Sequence, residues 1–433
     1  VDRFALFFVL LFSFVALAVI LSAERYSRRF EEHRGEFIAL TLLSTTGMTL
    51  LGSATELITI YVSLELTALP VAAVLAFLRE DKSAEAGLKF LILSGISSAV
   101  LLYGLVFIYG FTGTTHLAEI FARVDQMRQA GALDAGVPFG SYALLIGVVL
   151  AVSGFAFKLS AAPFQMWVPD VYEGGPTPIV AFLSVASKAA GFAVVLRVLY
   201  SAFGAPDLAI EWSGLFAILA VVTMTLGNLM ALSQRNIKRL LGYSTISQAG
   251  FILVGLAAVA ARSTSGNFVA GPQGILFYLA GYAFTNLAVF FAVIAITNRT
   301  NDDSISGFAG MAKRAPVTAA LLSVGLVSLL GLPPTVGFMG KVFIFNAAVN
   351  SGLTWLAVAG VINSVVSAYY YLRVIRTMYM DAPASEERVG VDASLGVVTA
   401  VAALGVVAFG VAPWFLLRVA EIAVRTLPGV AGG

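Results

Sequence analysis

Apolar residues fill this chain in long runs broken by short polar joints. The pattern predicts about 12 helical spans, near residues 4–21, 37–54, 57–77, 88–110, 142–166, 177–199, 212–232, 240–260, 273–297, 316–349, 354–376 and 394–416. A run of about 20 apolar residues crosses ~30 Å of hydrocarbon as a helix and satisfies its own backbone hydrogen bonds where no water can. The expected fold is an all-α, polytopic membrane protein. Positive charge follows the first span (Glu24-Arg25-Tyr26-Ser27-Arg28-Arg29), which argues for a membrane helix over a cleaved signal peptide.

The fifth and tenth spans contain interruptions. The fifth reads GVVLAVSGFAFKLSAAPFQMWVP, and the tenth GLVSLLGLPPTVGFMGKVFIF. Proline removes a backbone donor and clashes with the preceding turn, so both spans are expected to break in the membrane interior. Transporters tolerate such breaks where irregular backbone lines a hydrated site. Both broken spans hold the fourth place in a five-span unit, one over residues 37–200 and one over 201–380. An odd-numbered unit re-enters the membrane from the opposite side when repeated, so two inverted repeats are expected. Residues 1–36 and 381–433 flank them.

Charge sharpens the picture. Of 433 residues only 12% are charged and 59% are hydrophobic, with a mean hydropathy of +0.93 and a net charge of +2. That balance offers no basic surface for nucleic acid. Alternate loops hold 16 Lys and Arg against seven in the remaining loops and termini, so the first set is expected to be cytoplasmic and both termini outward. Three of the 26 basic residues remain, each inside a span: Lys158, Lys188 and Lys341. One acidic residue, Glu65, lies equally deep, in YVSLELTALP. A charge at the bilayer centre costs ~2.5–3.5 kcal/mol or more, so these four read as functional, with structural pairing, snorkelling or carbonyl capping as the plainer alternatives. Lys89, at the start of the fourth span, reads equally well as an interfacial anchor.

Candidate redox chemistry is sparse. With no Cys and two His, His33 and His116, both expected in solvated loops, the chain is not expected to carry a metal centre. The stretch GFMGKV at 337–342 lacks the first glycine and the hydroxyl residue of a phosphate loop. The segment WVPDVYEGGPTP, with Asp170 and Glu173, reads as a tight connector.

Three segments, GFAFKLSAAPFQMWVPDVYEGGPTPIVAFLSVASK, ALSQRNIKRLLGYSTISQAGFILVG and LLGLPPTVGFMGKVFIF, resemble the antiporter-like membrane subunits of respiratory complex I, the proton-pumping NADH:quinone oxidoreductase. The resemblance covers nearly the whole chain from residue 37 onward and is nearest to the subunit N type. Lys188 stands where the L and M types usually carry histidine. The resemblance implies a Glu65–Lys158 pair, a relay through Lys188 and Lys341, and a role for Lys89. It also implies a place in a bacterial inner membrane between K-like and M-like neighbours, with NADH, FMN, iron–sulfur clusters and quinone held by partner subunits. Gln165 departs from relatives that carry a titratable histidine there. Bacterial relatives usually have about 14 spans, the first two without counterpart here. Two other readings remain: a subunit of a cation/proton antiporter or membrane hydrogenase, and a structural subunit that does not pump.

Overall fold

The structure, a computed structural model, describes residues 1–133, 136–259, 269–383, 385 and 387–427. Every regular element among them is helical. The helices are α1 (Arg3–Ser22), α2 (Arg34–Ser53), α3 (Leu57–Leu75), α4 (Asp81–Thr112), α5 (Leu117–Gln129), α6 (Tyr142–Leu159), α7 (Trp167–Gly174), α8 (Thr177–Phe182), α9 (Lys188–Ala202), α10 (Pro206–Leu232), α11 (Ile237–Ala257), α12 (Ala270–Thr300), α13 (Met311–Arg314), α14 (Pro316–Leu330), α15 (Val336–Asn350), α16 (Thr354–Met380), α17 (Ala393–Val411) and α18 (Pro413–Val424). Among the described residues eleven helical stretches are long and apolar enough to cross a membrane, and α14 with α15 makes a twelfth interrupted span. Arg262, counted above among the outward charges, lies outside the described residues.

Both expected interruptions are present, and both are closed by a residue in the left-handed conformation. After α6, Ser160 takes φ +61° and the Ala161 N–H reaches back to the Ala156 carbonyl at 2.8 Å. After α14, Gly331 takes φ +89° and the Leu332 N–H reaches the Val327 carbonyl at 3.2 Å. These contacts satisfy carbonyls that a helix end leaves orphaned. A third irregularity was not expected: the sixth span carries a π turn, Leu183–Ser187, between α8 and α9. Such bulges are rare and recur at functional sites.

Three expectations about boundaries need correction. The fourth span begins at Asp81, so Lys89 sits in the third turn of α4 and not at its start. The WVPDVYEG segment is helix α7, because Pro169 falls in its first turn, where a missing N–H costs nothing. The twelfth span ends at Val411, and Pro413 opens the separate helix α18.

The helices differ in how deeply they sit. The α8–α9 stretch is wholly enclosed and α11 and α12 nearly so, whereas α4 and α17 lie at the periphery. Two helix pairs approach closely in the same way. A Cβ on Gly47 of α2 would fall 2.7 Å from the Thr67 nitrogen of α3, and one on Gly227 of α10 would fall 2.6 Å from the Ser247 nitrogen of α11. Nine residues beyond each glycine a backbone bridge forms, Glu56 with His116 and Asn236 with Ser304. In this register Glu65 of α3 corresponds to Thr245 of α11.

Arg197 of α9 closes the opposite end. Only 3% exposed, it takes both carboxylate oxygens of Asp2 at 2.9 Å and donates to the Gly52 carbonyl. Burial works against the Asp2 charge, but hydrogen bonds from Arg197 and from the Ala5 N–H outweigh it and hold the carboxyl below its usual range.

Candidate functional site

Lys188 begins α9 immediately after the π turn and is 2% exposed. Its Nζ donates to the Thr245 carbonyl of α11 at 2.6 Å. Thr245 then meets the Tyr282 hydroxyl of α12 at 3.0 Å and faces the Tyr172 hydroxyl of α7. One residue earlier on α11, the Ser244 hydroxyl bonds with that of Tyr371 of α16. One turn later, Gln248 Nε2 donates to Tyr371 at 3.3 Å and to the Leu329 carbonyl at 2.9 Å, while Gln248 Oε1 accepts from the Tyr278 hydroxyl.

Lys341 completes this series. It lies on α15, beyond the second break, and its Nζ donates across the break to the Leu330 carbonyl at 2.7 Å and the Leu329 carbonyl at 3.3 Å. Those are the last carbonyls of α14, which carry the negative end of its dipole. The Phe251 ring faces the same ammonium at 4.4 Å. Gly331 makes room: a Cβ there would fall 2.9 Å from Lys341 Cδ. Polar groups on α11 therefore run from the Lys188 acceptor to a carbonyl that Lys341 shares.

Lys158 is placed differently. It is the penultimate residue of α6, 8% exposed, near the negative end of its own helix. Gly191 of α9 lets that helix pass within contact of the Lys158 stem. Yet Lys158 makes no hydrogen bond or ion pair among the described residues. The Glu65–Lys158 pair implied by the resemblance is not closed: the field of Glu65 reaches Lys158, but no contact within 4.0 Å forms. Glu65 itself is only half-buried, on the flank of α3. Lys89 joins neither group. It pairs with Glu85 at 2.6 Å and with Asp170 at 2.9 Å, at the basic-rich end of the molecule.

The structure thus places Lys188 and Lys341 at the two ends of a run of polar side chains on α11, sets Lys158 beside α9 without a polar bridge, and places Lys89 in a separate ionic cluster. Tyr278, Tyr282 and Tyr371 are participants that the sequence reading did not single out. The signal for α11 was present: GYSTISQAG puts two serines, a threonine and a glutamine into an otherwise apolar span. His33 is not a freely solvated residue, since Arg79 Nη2 lies 2.6 Å from its Nε2 and Glu36 3.6 Å from its Nδ1. His116 remains exposed. Among the described residues no group of three or more His, Asp or Glu is arranged to hold a metal ion.

Residues 54–367 match the family model described as NADH:quinone oxidoreductase/Mrp antiporter, transmembrane region. The chain belongs to that family. It is 42% identical to NADH-quinone oxidoreductase subunit N of Dehalococcoides mccartyi over 427 residues, covering 98% of this chain and 86% of that protein. It is 43% identical to the subunit N of Trichlorobacter lovleyi over 431 residues, covering 98% and 84%. Among solved structures, a chain of respiratory complex I from Thermus thermophilus superposes with a TM-score of 0.76 at 30% identity, over 96% of this chain and 86% of that one. A chain of an archaeal membrane-bound sulfane sulfur reductase superposes at 0.87 and 26% identity, over 99% and 83%.

Proposed function

We propose that this chain is the subunit N-like proton-translocating subunit of an NADH:quinone oxidoreductase, and that Lys158, Lys188 and Lys341 carry the proton. The observation that carries the reading is the run of polar side chains on α11, Ser244, Thr245 and Gln248 with their tyrosine partners, between the Thr245 carbonyl that holds Lys188 and the Leu329 carbonyl that Gln248 and Lys341 share. Glu65 acts as the electrostatic control on Lys158. A carboxylate held near the lysine favours its ammonium form; moving that carboxylate away weakens the hold, each pKa unit being worth ~1.4 kcal/mol. Moving one charge against 100 mV takes ~2.3 kcal/mol, so a change of about two pKa units suffices.

The driving energy comes from quinone reduction in partner subunits, which hold the NADH, FMN, iron–sulfur and quinone chemistry; K-like and M-like neighbours flank this chain. The basic-rich loops face the cytoplasm of a bacterial cell, and both termini face outward. Residues 37–200 and 201–380 form two inverted repeats, which the matched glycine contacts and backbone bridges of α2–α3 and α10–α11 support.

The test is proton pumping per electron in reconstituted complex. Lys158→Ala and Glu65→Gln are expected to assemble, to oxidise NADH, and to pump fewer protons per electron. Normal assembly with an unchanged ratio in both variants would overturn the relay.

A further inference from the structure

The basic-rich end carries six charges in alternation that the lysine series does not use. Arg239, in the first turn of α11, donates through Nη1 to Asp170 at 2.7 Å and to Glu173 at 3.1 Å. Asp170 also accepts from Lys89 at 2.9 Å, and Glu173 from Lys82 at 3.3 Å; Glu85 holds the far side of Lys89. A cation in the first turn of a helix opposes the helix dipole, so Arg239 depends on these carboxylates for its position.

Two cavities meet at this pair. The outer one, about 150 Å³, is lined by Lys82, Glu85 and Glu173 together with Asp170 and Arg239. The inner one, about 290 Å³, runs past Asp170 and Arg239 to Tyr243, Ile246 and Gln165, inside the break between α6 and α7. Its volume far exceeds the ~10–15 Å³ that one water needs. Gln165 Oε1, which lies in that wall, is buried and has no hydrogen-bond partner in the protein. A buried acceptor of that kind is ordinarily satisfied by water. The inner cavity is therefore a place for water beside the segment that follows Lys158, and the Asp170–Arg239 pair belongs to the walls of both cavities.

We propose that the Asp170–Arg239 ion pair is the gate that controls water and proton entry from the cytoplasmic side into the broken α6–α7 segment. The inference rests on the proton-translocating reading above. When closed, the pair separates the two cavities; when Arg239 leaves Asp170 and Glu173, they join. The gate is also tied mechanically to the lysine series. Asp170 shares α7 with Tyr172, which faces Thr245, the residue whose carbonyl holds Lys188.

The chain has no cysteine, so one introduced thiol reports on access. Gln165→Cys, in the assembled complex in inside-out vesicles, is treated with a charged, membrane-impermeant maleimide, and labelling of this subunit is followed. Labelling is expected to be slow with the pair intact and at least about tenfold faster with Arg239→Gln, the least change expected from losing its charge-assisted hydrogen bonds to Asp170 and Glu173. Asp170→Asn is expected to do the same and serves if Arg239→Gln does not assemble. The double exchange Asp170→Arg with Arg239→Asp is expected to restore slow labelling. Equal rates with and without the pair, or faster labelling from the opposite face, overturn the gate. Pumping is not the readout, so failure of the lysine relay leaves the labelling result standing, and the two failures are distinguishable.

Discussion

The two broken helices solve the same problem in opposite ways. In α6 the lysine precedes the break, so Lys158 lies near the negative end of the helix that carries it. In α14–α15 the lysine follows the break, and Lys341 reaches back to the C-terminus of the other half-helix, where it bonds Leu329 and Leu330. The second ammonium is held by two carbonyls, while the first is held by none among the described residues. A buried cation with fixed acceptors is a stable station. One without them depends on whatever charge lies nearby, here Glu65, and is the easier of the two to switch. In the proposed relay the Lys158 site is thus suited to receiving a signal, and the Lys341 site to holding a fixed station.

The sharpest way to break this contrast is to remove each lysine and measure stability as well as pumping. Lys341→Met is expected to strand the Leu330 carbonyl, to leave Leu329 with Gln248 as its remaining side-chain donor, and to destabilise the chain by about 1–3 kcal/mol. Lys158→Met removes a buried charge that has no hydrogen-bond partner and is expected to be neutral or stabilising. Both are expected to lower the proton-to-electron ratio. Equal destabilisation in thermal unfolding of the purified subunits would end the distinction.

Gln248 tests the polar run on α11 directly. Gln248→Leu is expected to lower pumping several-fold and to cost about 2 kcal/mol, because it strands the Tyr278 hydroxyl and takes a donor from Leu329. Thr67→Val, at the corresponding close approach of α3, is expected to leave pumping within experimental error, since its hydroxyl bonds only the Ser63 carbonyl of its own helix.

Glycines sharpen the comparison further. Gly331→Ala places a Cβ at φ +89° and 2.9 Å from Lys341 Cδ, with an expected cost of about 1–2 kcal/mol from the backbone alone. Gly191→Ala puts its Cβ 3.4 Å from Lys158 Cγ, ordinary contact, and 3.1 Å from a Leu159 methyl that can shift; the expected cost is a few tenths of that.

The smallest effect is expected at the far end from both breaks. The folded-state pKa of Asp2 is depressed, so its pairing with Arg197 adds stability above the ordinary carboxylate range and loses it as pH falls through the lowered value. Asp2→Asn is expected to lower stability at neutral pH and to erase that part of the acid dependence, read by unfolding between pH 3 and pH 7 at about a one-unit spacing.

Much of this was legible in the amino-acid order. Length and hydropathy of the runs fixed a helical membrane fold, because a backbone in hydrocarbon has few other ways to satisfy itself. Prolines located both interruptions, and the expense of charge in lipid singled out Lys158, Lys188, Lys341 and Glu65. Hydropathy could not say which helices are central, since lipid and protein interior are equally apolar: α4 is the more apolar of the two, yet α11 is enclosed and α4 largely exposed. Nor could it say which carbonyl each ammonium meets, or that Asp170 on α7 finds Arg239 on α11. Those pairings join residues distant in the chain, and only the way the helices pack decides them.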